Sequence, residues 1–71
     1  MKLTDRSYLE HMIPHHQVAI DMSRRLLLHT NNSYLLEFCR KLILSQQSEI
    51  LYMYNLLMNI DFLYKSELLQ N

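Results

Sequence analysis

The chain has 71 residues, no glycine, one proline and a formal net charge of zero, and 49% of it is hydrophobic. That length allows one domain, residues 1–71, and the lack of glycine turn residues argues against β-hairpins and for an all-α protein. There is no basic stripe to recognise nucleic acid, and Cys39, the one cysteine, cannot form an intrachain disulfide.

The first seven residues are polar and lack the apolar core of a signal peptide. Away from the central turn, the longest uncharged run is Ile50 to Ile60. A bilayer span needs about 20 apolar residues, so a soluble protein with no membrane partner is expected, cytoplasmic on the sequence as it stands. A single chain this short is marginal alone and calls for a metal, a disulfide or a second copy.

Ser7-Tyr8-Leu9-Glu10 fits a capping box, so helix 1 is expected over about 8–29. Its apolar stripe includes Leu9, Ile13, Ala19, Ile20, Leu26 and Leu27. Pro14 lacks an N–H for the carbonyl of Glu10 and predicts a kink. The alternative is that Pro14 opens the helix and residues 7–13 form a separate turn. Thr30-Asn31-Asn32-Ser33 is the one clear turn, with Asn31 suited to a left-handed helix end and Asn32 to capping the next helix. Helix 2 is expected over about 33–58, with a weak break at Asn59 and Asp61 and a helical extension over about 61–69. His29, in the last turn of helix 1, suits the helix C-terminus, and Cys39 suits a small buried position.

The stretch His11 to Met22 holds three of the four histidines and two of the five methionines. At helical spacing Met12, His15, His16, Ala19 and Met22 share one face. A short turn makes the helices antiparallel. Centring it near Asn31 sets Met12 level with Glu49, His15 or His16 with Gln46, and Met22 with Cys39, while Met53 lies one turn, about 5.4 Å, beyond Glu49. Two polar interruptions, His15/His16 and Gln46/Glu49, thus meet between thioethers. Helix 2 beyond Met53 then has no mate, although Leu56, Leu57, Ile60, Phe62, Leu63 and Leu68 are apolar. Two hairpins forming a four-helix bundle would bury them.

His11 with His15, and Met12 with His16, are i, i+4 pairs that can chelate from one helix. Imidazole with thioether and no thiolate favours Cu(I) or Ag(I) over Mg, Ca or Mn. Zinc held by His11, His15 and a carboxylate would leave the methionines without a role. Against these stands the reading of Met12, Met22 and Met53 as core fillers. Glu49 and Gln46 either orient a ligating imidazole or form a buried polar layer that fixes register. Nothing supports an enzyme: there is no Glu-x-x-His pair, His-Glu-x-x-His motif or glycine-rich phosphate loop.

Met12-Ile13-Pro14-His15-His16-Gln17-x-Ala19-Ile20-x-Met22, followed by Gln46-x-x-Glu49-Ile50-x-x-Met53, resembles domain-of-unknown-function family three hundred and five, over about Tyr8 to Leu57. The resemblance implies a ferritin-like helical bundle that binds copper, and silver, through His and Met, often in exported or periplasmic proteins. By position it implies Met12, His15, His16, Met22 and Met53 as metal residues, with Glu49 also matching the motif. His11 is added from its spacing alone. The expectation is therefore a helical hairpin, paired by dimerisation into a four-helix bundle, that holds Cu(I) for buffering or resistance. The alternative is a homodimeric interaction module whose His/Gln/Glu cluster is only structural.

Overall fold

The computed structural model describes residues 2–70. Two helices, α1 (Asp5–Leu27) and α2 (Ser33–Gln70), lie side by side in a hairpin about 60 Å long. No strand occurs among the described residues.

α1 starts three residues before the expected position. Thr4, not Ser7, is the cap: the Ser7 N–H donates to Thr4 Oγ1 (3.1 Å) and the Thr4 N–H donates to Ser7 Oγ (2.9 Å). Ser7 is thus the third helical residue of the box rather than its first. The earlier start brings Arg6 into the helix, where it pairs with Glu10 at 3.6 Å and with Asp61 across the hairpin. Asp5 in the first turn also suits the positive end of the helix dipole.

Pro14 lies inside α1, which continues on both sides of it. The arrangement in which residues 7–13 form a separate turn is therefore not the one adopted. The helix ends without a left-handed residue, because no residue among those described has positive φ. Asn31 does not take the role expected of it. Instead, the Leu28, His29 and Thr30 N–H groups donate to the Arg25 and Leu26 carbonyls at 2.9–3.1 Å. Those bonds satisfy the Arg25 and Leu26 carbonyls without a reversal of φ. His29 lies past the helix end; Arg24 and Arg25 are the basic residues of the last turn.

Asn32 caps α2 as expected, its Oδ1 accepting from the N–H groups of Tyr34 (2.9 Å) and Leu35 (3.1 Å). Asn32→Ala is expected to cost about 1 kcal/mol and Asn32→Asp much less, read as a shift of the urea midpoint at unchanged slope.

α2 passes through Asn59–Asp61 without a break. Poor helix formers cost up to about 0.7 kcal/mol each, which is small beside what holds this segment. Leu56, Leu57 and Ile60 are half-buried, and Asp61 pairs with Arg6. The unmated overhang is thus shorter than expected. It begins near Phe62, and Phe62, Leu63, Tyr64, Leu68 and Leu69 are all exposed.

The core is thin. Among the described residues Leu9, Ile20, Ser23, Cys39 and Met53 are buried, and Ile20 is the one large side chain that is fully covered. A folded monomer of this mass exposes about 4,700 Å², whereas this hairpin exposes 6025 Å². Much of the surplus is apolar. One flank opens into shallow grooves at both ends: Tyr8 and Leu9 against Leu56 and Ile60 at the open end, Met22 and Leu26 against Leu35 and Phe38 near the turn. The other flank carries a groove between Ile13, Pro14, Val18 and Ile50, Tyr54, Leu57.

Candidate metal centre

His16 joins the two helices. Its Nδ1 lies 2.8 Å from the Met12 carbonyl oxygen, one turn back, and its Nε2 lies 2.5 Å from Glu49 Oε2 on α2. A carbonyl only accepts, so Nδ1 carries a hydrogen and donates it. That fixes the ring orientation and leaves Nε2 as the nitrogen that faces across the hairpin. The carboxylate of Glu49 is the group that Nε2 meets there. The imidazole is largely covered (14% exposed) while the carboxylate is half in solvent (54%).

Glu49 therefore meets His16, one turn nearer the connecting loop than Met12. The departure has a geometric cause. Side chains on a helix lean towards its N-terminus. In antiparallel neighbours the leans are opposed, so His16 tilts to the open end and Glu49 to the turn. They meet although their backbones are not level, and Arg6 reaches Asp61 in the same way. Near the turn the expected level holds, with Met22 and Cys39 lining one groove.

The remaining candidates scatter around this pair. His11 repeats the pinned geometry, with Nδ1 2.6 Å from the Ser7 carbonyl, but it is exposed. His15 is exposed, Met12 is half-buried, and Met53 is buried. Met22 is 64% exposed and lies ten residues, about 15 Å, along α1 from Met12. Those two sulfurs cannot hold one ion from a single copy. Gln46 forms no hydrogen bond with either histidine among the described residues and lines a groove with Phe38 and Leu42. No three His, Cys, Asp or Glu side chains converge as a metal group among the described residues. The donors fit a soft ion in kind, imidazole beside thioether, with His16 already oriented. Ser23, buried in α1, has no sequence signal beyond its helical spacing from Ile20 and Leu27 in the apolar stripe.

A two-helix hairpin whose helices are joined by a histidine–carboxylate contact defines the structural class. The chain belongs to the family described as Domain of unknown function (DUF305), which matches residues 1–57. That match covers α1, the turn and α2 up to Leu57, and stops short of the overhang. The chain is also similar to an uncharacterized protein of Acanthamoeba polyphaga mimivirus, 40% identical over 48 residues. The aligned part is 68% of this chain and 32% of the viral protein, so the chain spans about a third of that relative's length. No solved structure matches. No helix among the described residues is long and apolar enough to cross a membrane.

Proposed function

We propose that this protein is a non-enzymatic holder of Cu(I), or of the similar ion Ag(I), for copper buffering or resistance. It would act as a homodimer in which two hairpins form a ferritin-like four-helix bundle. The observation that carries the reading is the orientation of His16. Its Nδ1–H is tied to a backbone carbonyl, as ligating imidazoles usually are, and its Nε2 is aimed at a carboxylate. A cation would be held at Nε2, with Glu49 swinging aside or adding an oxygen. Met12, one turn back on the same helix, and Met53, one turn beyond Glu49, supply the soft donors. His11, His15 and Met22 lie on the outer surface of α1 and would take part from there.

The test is an anaerobic Cu(I) titration against a competing chelator. The unmodified chain is expected to compete with a defined stoichiometry. Met12→Leu with Met53→Leu is expected to lose that competition while keeping the helical signal, since Met-to-Leu nearly conserves volume. Unchanged binding in the double variant would remove the methionines from the site. No competition by the parent chain would favour the second reading, a dimer in which His16 and Glu49 form a polar layer that sets helix register.

A further inference from the structure

Resting on that reading, we infer that the metal centre is completed by a second copy of this chain running in the opposite direction, so that both copies supply Met12 and His15 near a common two-fold axis. Four observations on the hairpin support it.

The first is incompleteness. Tyr8, Met12, His15, Ala19, Met22 and Leu26 recur at helical spacing on one face of α1. The apolar grooves at the two ends of the hairpin open on that face. His15 stands exposed in the middle of it, without a hydrogen-bond partner among the described residues. A single copy therefore presents His15 and Met12 outward and gathers no complete ligand set around them.

The second is area. The hairpin exposes about 1,300 Å² more than a folded monomer of its mass. Hiding that surplus on both copies buries about 2,600 Å², within the range of obligate homodimers.

The third is charge, which sets direction. Towards the turn, Arg24, Arg25, Arg40 and Lys41 outnumber Asp21 and Glu37. Towards the open end and centre, Asp5, Glu10, Glu49, Asp61 and Glu67 outnumber Lys2, Arg6 and Lys65. The neutral chain is thus a rod with a positive turn end and a negative open end. Pairing in the same direction sets like ends together, whereas reversal sets opposite ends together. Such complementarity selects orientation more than affinity.

The fourth is level. The midpoint of α2 falls between Leu51 and Tyr52, two to three residues past Glu49. Counted from the Met22–Cys39 level, that midpoint lies beside Glu10, on the side of Met12 and His15 towards which their side chains lean. Full overlap of two reversed copies therefore places the axis within about one helical turn, 5.4 Å, of Met12, with His15 the next residue of that face. It also lays the exposed Leu63 of one copy, on the same α2 face as Leu56 and Ile60, along the groove of Met22, Leu26 and Phe38 of the other.

The unmodified chain carries its own ruler. Lys41 and Lys65 are 24 residues apart on α2, about 36 Å, which a short amine cross-linker cannot span. Between reversed copies they approach to about 10–15 Å. The expected result is a dimeric mass, a Lys41–Lys65 link confined to the cross-linked dimer, and a dimer fraction that rises when Cu(I) is added, since an ion held by both copies must favour their pairing. A Lys41–Lys41 link in place of Lys41–Lys65, or a monomeric mass with and without Cu(I), would overturn the pairing. Cu(I) bound by each chain with no change in the dimer fraction would overturn the shared centre and leave metal binding standing. A Lys41–Lys65-linked dimer that binds no Cu(I) would instead overturn the metal reading.

Discussion

Ile20→Ala is expected to cost about 3 kcal/mol, the largest loss of stability from any single truncation in the chain. Ile20 is 1% exposed, the most deeply covered large side chain among the described residues. Its removal takes away the transfer energy of the deleted carbons and leaves a void that two helices can close only by sliding together. Total stability for a domain of this length is about 4–10 kcal/mol, so the loss is a third or more of what exists. Urea denaturation followed by helical signal checks it. Leu28→Ala is the control: Leu28 is 81% exposed at the end of α1, and its truncation is expected to stay within about 0.5 kcal/mol. A loss at Ile20 no larger than at Leu28 would mean that the hairpin interior is not packed as described.

His16→Leu is expected to act in the opposite sense on stability and most strongly on metal. The imidazole is largely covered and spends its hydrogen-bonding capacity on Met12 and Glu49. Leucine fills a similar volume against apolar neighbours, and replacing a covered polar pair member by a hydrophobe is neutral or stabilising when the other member can rehydrate. Glu49, half exposed, can do so. Stability is thus expected to hold or rise by about 1 kcal/mol. If His16 is the oriented ligand, Cu(I) affinity falls by about 100-fold or more, because no other described imidazole spans the two helices. The two readouts separate the functional hypotheses. Stability lost with affinity unchanged would make His16 a register residue only.

The hairpin itself could be read from the residues, and its ends could not. Two capping boxes overlap at Ser7, and the better-formed one, with Glu10 at its end, is not used. Thr4 wins because an earlier start gives Arg6 two carboxylate partners, one of them 55 residues away in sequence. The unbroken α2 has the same origin: Asn59 and Asp61 look like a stop until Asp61 is seen to be held by Arg6. Local signals do not contain such contacts. At the site, residue types and their two elements were legible, including the meeting of His16 with the Gln46–Glu49 interruption. The partner of Glu49 was displaced by one turn because counting levels backbones, whereas the opposed lean of the side chains decides who touches. Gln46, counted as a partner of the histidines, turned out to border a groove.

So thin an interior has a further consequence. A fold in which one isoleucine is the only large side chain fully sheltered among the described residues holds little stability of its own, and whatever binds the folded form adds to it by mass action. A ligand at 100 times its dissociation constant contributes about 2.7 kcal/mol, comparable with that isoleucine itself. If the chain pairs and holds metal as proposed, its melting temperature is a function of its concentration and of its ligands, rather than a property of the chain.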